Sequence, residues 1–198
     1  MSTNSNLPNR RSIRLKNYDY SQKGSYFITI VTQNRKHLFG KIEDGKMILS
    51  SVGKIVEDEW MNTIQLRPNV VLGEFIIMPD HMHMIVTIIT QIEKKENEEW
   101  IHSNPKSPSH TIGAIIRGFK GASTKKINLF LNSRSGELPF APAAPAAPFA
   151  PNKIFQRNYY EHIIRNQRDY HRIEKYIIDN PRNWKKKKKK KLNLKSED

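Results

Sequence analysis

Apolar and polar positions along this chain recur with two periods, and the switches between them predict the elements. Residues 26–32 (Tyr-Phe-Ile-Thr-Ile-Val-Thr) are aromatic and β-branched and predict a first strand. Two short apolar runs, 38–40 and 46–49, flank Glu43-Asp44-Gly45, whose Asp-Gly step signals a hairpin. Ser50 or Ser51 is placed to cap a helix over 52–65, with Val52, Ile55, Val56, Trp60 and Ile64 as its apolar stripe and Pro68 at its end. Residues 70–78 predict a second long strand. In 82–89 the alternation sets Met82, Met84, Val86 and Ile88 on one face and His83, Ile85, Thr87 and Ile89 on the other. A charged, proline-containing loop spans 91–109. A helix over 111–131 follows, with Ile112, Ile115, Ile116, Phe119, Ile127 and Phe130 as core positions. Residues 154–164 read as a strand, or as a strand breaking into a loop. The last helix, 167–179, is capped by Asn166 and turns Tyr170, Ile173 and Ile177 inward; Pro181 stops it and biases Asn180 out of helical geometry.

This order predicts an α+β sandwich, an antiparallel sheet with helices on one face. At 198 residues it is one domain with extended ends: a basic arm at 1–17, a domain at 18–184 interrupted by an Ala/Pro-rich insertion at 133–152, and a lysine-rich, disordered tail at 185–198. The absence of cysteine excludes disulfides and thiolate metal sites. Without an apolar run near the ~20 residues of a membrane span, and without a signal-peptide core, a soluble cytoplasmic protein is expected.

Net charge is +15, which points to a polyanionic partner such as nucleic acid. The tail alone contributes eight lysines against Glu197 and Asp198. The rest still carries an excess of nine positive charges, so the basic character does not depend on the tail.

The chemistry concentrates at Met78-Pro79-Asp80-His81-Met82-His83. Pleat alternation puts His81 and His83 on one face, roughly 7 Å apart along the strand, so both imidazoles can aim at one ion. A His-x-His pair also suits a plain polar strand edge. About ninety residues later comes Tyr176-Ile177-Ile178-Asp179-Asn180-Pro181. There Tyr176 and Asn180, spaced i and i+4, share a helical face. Two imidazoles, an amide oxygen and a phenol can together hold a divalent cation beside a nucleophile.

With these motifs the sequence resembles the REP-associated tyrosine transposases, of the single-tyrosine HUH superfamily. The matching stretches are Arg14-Leu-Lys-Asn-Tyr-Asp-Tyr, Gly24-Ser-Tyr-Phe-Ile-Thr, Met78-Pro-Asp-His-Met-His, Phe155-Gln-Arg-Asn-Tyr-Tyr-Glu-His-Ile-Ile-Arg, and Asp169-Tyr with Tyr176-Ile-Ile-Asp-Asn-Pro. They cover residues 10–184. The resemblance implies a ferredoxin-like (RRM-like) fold with the His pair on a central strand and the tyrosine on a following helix. It implies cutting and rejoining of single-stranded or hairpin (REP-like) DNA through a 5′-phosphotyrosine, with Mg or Mn as the metal. By position, Tyr176 is the nucleophile, His81 and His83 are metal ligands, and Asn180 is the third ligand, where related transposases carry a glutamine. The Ala/Pro segment and the lysine run depart from the family pattern.

Arg14, Lys16, Arg117, Lys120, Arg157, Asn158 and Arg165 are the expected DNA contacts, although each basic one also reads as a solvated surface charge. Tyr159 and Tyr160 suit base stacking or core packing. Glu161 and His162 match motif positions as supporting residues, and a structural hydrogen bond explains them equally well. The alternatives to an active transposase are a catalytically silent hairpin-binding protein and a replication-initiator-type nickase. A monomer or a homodimer is expected.

Overall fold

Every second side chain of the central strands points to a different helix layer, and this division organises the molecule. A computed structural model describes residues 18–90, 110–133 and 153–184. The basic arm, the 91–109 loop, the Ala/Pro segment beyond Ser133 and the lysine tail lie outside the described residues, as does the side chain of Ile64. The elements are β1 (Gly24–Val31), β2 (Gly40–Glu43), β3 (Lys46–Leu49), α1 (Ser51–Leu66), β4 (Val70–Met78), β5 (His81–Ile88), α2 (Ile112–Ser133), β6 (Tyr160–Ile164) and α3 (Gln167–Ile178).

The main sheet runs β4-β5-β1-β6, and every neighbouring pair is antiparallel. Helix α1 lies in the connection from β1 to β4, and α2 in that from β5 to β6. This is the split β-α-β-β-α-β arrangement of ferredoxin-like folds, with β5 and β1 in the middle. The β2–β3 hairpin turns at Asp44 and Gly45, whose φ values of 45° and 75° are those of the tight turn that the Asp-Gly signal announces. Ser50 caps α1: its hydroxyl accepts from Gly53 N at 3.0 Å and donates to Leu38 O at 2.7 Å.

On one face Tyr26, Ile28 and Ile30 of β1 join Met82, Met84, Val86 and Ile88 of β5 against Val52, Val56 and Trp60 of α1 and the inner positions of α2. On the other face Phe27, Ile85 and Ile164 pack with Ile173 and Ile177 of α3. The expectation of helices on one face therefore holds for the two crossover helices and fails for the third. Helix α3 lacks an apolar stripe wide enough for a large core, yet Phe27 and Ile85 expose a second apolar surface for it to cover. Burial of its two isoleucines contributes about 1.5–3 kcal/mol each.

Two further expectations need correction. Of 154–164 only Tyr160–Ile164 is a strand; Phe155 makes an isolated bridge to Thr32, and Ile154 and Phe155 are buried plugs under the sheet end. Pro181 does not stop the chain's helical course. After the α3 C-cap at Asp179, residues 180–184 are helical again, and Asn183 N reaches Asp179 O at 3.2 Å. A proline in the first turn of a helical segment loses no hydrogen bond, because its missing N–H has no partner there.

Helix α3 is held to the sheet by polar clasps as well. Asn166 Oδ1 accepts from Asp169 N at 2.8 Å as its N-cap. The Asp169 carboxylate then takes His162 Nε2 of β6 at 2.8 Å and the Arg172 guanidinium at 2.6 Å. Hydrogen bonds from His162 and Arg172 hold the Asp169 carboxyl below its ordinary range. Among the described residues no helix is long and apolar enough to cross a membrane.

Two outcomes follow for stability. A Cβ on Gly73 of β4 would stand 2.7 Å from Tyr170 Oη and 3.0 Å from Ile85 Cβ, so Gly73→Ala forces the Tyr170 ring of α3 or Ile85 to shift. Chemical denaturation should show a destabilisation of about 1–3 kcal/mol, and Tyr170→Phe in the same background should recover part of it; simple additivity of the two effects would refute the steric clash. Because the folded pKa of Asp169 is depressed, its contribution is present above the unfolded value of about 3.9 and is lost as pH falls through the folded value. Asp169→Asn should accordingly cost stability near neutrality, with the deficit shrinking below about pH 4. A deficit independent of pH would contradict this assignment.

Candidate functional site

The site grows from strand register. Opposite His83 on β1 stands Thr29, and opposite His81 stands Val31. Thr29 Oγ1 lies 2.8 Å from His83 Nδ1. The residue before His81 is Asp80, in the turn after Pro79, and its carboxylate accepts from His81 Nδ1 at 2.5 Å. Both Nδ1 atoms are thereby engaged, and the two Nε2 atoms lie 3.1 Å apart, within hydrogen-bond distance of each other. Outer partners of this kind orient metal-binding histidines.

Asp80 is 5% exposed. Burial alone would push its carboxyl up, but the His81 hydrogen bond and the charges of His81, Arg35 and His37 outweigh it and hold the group below the usual carboxylate range. A carboxylate only accepts, so His81 donates its Nδ1 proton to Asp80, and its other ring nitrogen, Nε2, is the one turned toward His83.

Helix α3 supplies the phenol. Ile173 and Ile177 anchor it on Phe27 and Ile85, and Tyr176, beside Ile177, projects over the His pair. Tyr176 Oη is 3.3 Å from His83 Nε2. Phe27 stacks on the His83 ring at 5.3 Å between centroids and meets Tyr176 edge-on at 6.1 Å. Tyr176 nevertheless remains 40% exposed, open to a large substrate, while His83 is 6% exposed. An accessible hydroxyl thus lies over one buried imidazole, His83, with the partly buried His81 beside it.

Asn180 follows one helical turn after Tyr176. It is 1% exposed, and neither its Oδ1 nor its Nδ2 has a hydrogen-bond partner. An unsatisfied buried amide costs about 1–3 kcal/mol, so it calls for a ligand. Among the described residues no three His, Asp or Glu side chains converge as a metal cluster, which makes a donor of another type necessary for a cation here. Two nitrogens about 2.1 Å from one ion at roughly right angles lie about 3.0 Å apart, close to the spacing of the two Nε2 atoms. Two imidazoles with an amide oxygen are a donor set that Mn accepts readily and that Mg, which prefers oxygen ligands, accepts less well.

The other expected contacts disperse. Arg157 and Asn158 are exposed just before β6, at the His end of the sheet, since Tyr160 pairs with Thr29. Arg165 follows Ile164, which pairs with Ser25 at the far end of β1, so it does not border the site. Arg117 and Lys120 belong to α2, beneath the opposite face. Lys120 is spent on structure: it donates to Gln156 O at 2.5 Å and Arg157 O at 3.0 Å, and burial lowers its pKa. Glu161 pairs with Ile28 and so points to the α1–α2 face, away from the His pair; its neighbour His162 points to α3 and clasps Asp169. Arg14 and Lys16 lie outside the described residues.

Periodicity and motif spacing assign no role to Thr29, Asp80, Phe27 or Trp184. Trp184 lies against His81, with ring centroids 5.8 Å apart. Asp80 was findable as the acid adjoining the first histidine. Thr29 and Phe27 depend on register, and Trp184 on the helical turn beyond Pro181, neither of which an apolar pattern reveals.

No family model matches the sequence. Among solved structures, the chain is similar to one described as the REP-associated tyrosine transposase bound to a REP hairpin, with TM-score 0.52 and 19% identity over 86% of this chain and 73% of that one. This likeness establishes the fold. A putative transposase from Deinococcus radiodurans R1 aligns with TM-score 0.43 and 16% identity, over 85% of this chain and 96% of that one. An uncharacterized protein of Haemophilus influenzae is 38% identical over 185 residues, which span 91% of this chain and 93% of that protein. Identity at that level across nearly the whole of both chains shows that this protein belongs to the family of the Haemophilus influenzae protein.

Proposed function

We propose that the chain is a DNA strand transferase of the REP-associated tyrosine transposase type, acting on single-stranded or hairpin DNA. The observation that carries this reading is the meeting of an accessible phenol, Tyr176, with the imidazole of His83, ninety-three positions away, which itself lies against His81. The likeness to a transposase bound to a REP hairpin supports DNA as the substrate, as does the net charge of +15.

In this reading Tyr176 Oη attacks a backbone phosphorus. The Oη–P bond forms and the P–O3′ bond breaks, leaving a 5′-phosphotyrosine. The phenolic proton leaves and the departing 3′-oxygen gains one, so the strand ends in a free 3′-hydroxyl. Rejoining is the reverse attack by a 3′-hydroxyl. The phosphodiester energy is kept in the tyrosyl link, and no nucleotide triphosphate is required. A phenol, with an ordinary pKa near 10, leaves far more readily than an alkoxide, which suits reversible transfer.

His81, His83 and Asn180 are the residues to hold a Mg or Mn ion. When bound, such an ion supplies charge neutralisation at the scissile phosphate. Phe27 and the α3 anchor hold the phenol over that point, and the Thr29 and Asp80 contacts fix the two rings. Exposed Tyr160, edge-on to Phe27 at 6.3 Å, is placed to stack on an unpaired base.

The test is a denaturing gel with REP-like hairpin DNA and Mn²⁺. Wild type should give a covalent protein–DNA adduct, and Tyr176→Phe should abolish it while binding stays within about twofold, because only one hydroxyl is removed. An undiminished adduct in the variant would move the nucleophile elsewhere. Asp80→Asn should weaken Mn²⁺ binding about 10–100-fold by calorimetry; unchanged affinity would remove the His pair as the cation's seat.

A further inference from the structure

The chain leaving β1 makes an unusual turn beside His81. Thr32, fully buried, fastens it: its N–H and hydroxyl both donate to Asp80 O, at 2.9 and 3.0 Å, and the hydroxyl also lies 2.8 Å from Lys36 O. Gln33 N donates to Ile154 O at 2.8 Å, which ties the turn to the segment leading into β6. Between these fixed points Asn34 and Arg35 both adopt left-handed backbone, with φ of 56° and 52°. Asparagine visits that region readily; arginine, with a full side chain, does so only where its surroundings enforce it. Consecutive outliers of this kind cluster where a protein presents groups to a ligand.

The consequence is a row of cationic and titratable groups, Arg35, Lys36 and His37, all exposed. Arg35 sends one guanidinium nitrogen to Asp80 Oδ2 at 3.4 Å while its side chain stays 59% exposed, so most of its donors face outward. Asp80 pairs with Arg35 and is also engaged by His81, so one carboxylate faces the three groups of the row. The His37 ring lies 5.9 Å from Trp184, which itself covers His81. The row thus borders the His pair directly, on the same end of the sheet as exposed Arg157 and Asn158.

We propose that residues 33–37 form a phosphate clamp, in which Arg35 and Lys36 hold backbone phosphates of the DNA strand flanking the one attacked by Tyr176. This rests on the transferase reading and assigns binding residues that reading lacks. Arg35 is suited to it because a guanidinium braced by a carboxylate on one side presents a fixed fork on the other. Lys36 adds a point charge one residue further along.

The measurement is fluorescence anisotropy of a single-stranded oligonucleotide between about 50 and about 200 mM salt. Wild type is compared with Lys36→Gln and with Arg35→Gln/Lys36→Gln. Every phosphate that a variant no longer neutralises lowers the slope of log affinity against log salt by about 0.7 on single strands. The double variant should therefore lie about 1.4 below wild type, a salt-induced weakening roughly sevenfold smaller over that range, and Lys36→Gln should fall between. The single variant matters because Lys36, unlike Arg35, does not pair with Asp80, so its effect cannot come from a disturbed His81. Slopes unchanged in both variants, with the wild-type Tyr176 adduct intact, overturn the clamp and leave the transferase reading standing. A wild type that binds no DNA strand overturns both.

Discussion

The placement of α3 on the second face of the sheet is the constraint on which the site depends. Ile173 and Ile177 cover Phe27 and Ile85, and by doing so set Tyr176 above two histidines from a strand far away in sequence. Gly73 permits the approach, since any Cβ there would meet Tyr170. The Asp169 carboxylate, gripped by His162 and Arg172, secures the N-terminal end. A helix with so few apolar residues would be marginal alone. Its stability is tertiary, and the geometry of the phenol is inherited from that packing.

Phe27 links the structural and chemical roles. It belongs to the small second core, stacks on His83 and touches Tyr176 edge-on. Beneath it the antiparallel register of β1 and β5 assigns Thr29 to His83, while chain adjacency assigns Asp80 to His81. The two imidazoles are thus oriented by different means, one across the sheet and one along the chain, and their Nε2 atoms still meet within 3.1 Å. Asn180, one helical turn beyond Tyr176, is buried with neither side-chain polar atom hydrogen-bonded.

Much of this was legible in the sequence, for identifiable reasons. The strands at 70–78 and 82–89, the Asp-Gly hairpin, the Ser50 cap and the Asn166 cap each follow from local chemistry that tertiary contacts reinforce. The shared face of His81 and His83 follows from the pleat. What periodicity could not carry was the sidedness of α3: Tyr170, Ile173 and Ile177 define an inner face but not which surface of the sheet receives it. Glu161 and His162 part company for a related reason, because one residue along a strand reverses the face. Pro181 misled because its effect depends on whether it falls inside a helix or in its first turn. Lys120 read as a free charge, yet it closes over two carbonyls at the entrance to β6.

If Tyr176 and the His pair form one reacting centre, the nucleotide is carried by the phenol and its transfer needs the imidazoles. Incubation with a cleavable DNA hairpin and Mn²⁺, followed by proteolysis and tandem mass spectrometry, identifies the side chain that carries nucleotide. The expected product is a phosphotyrosyl link at Tyr176, formed by wild type and not by His81→Ala. Nucleotide on Tyr160 or any other residue, or undiminished labelling of Tyr176 without the His81 imidazole, would contradict it.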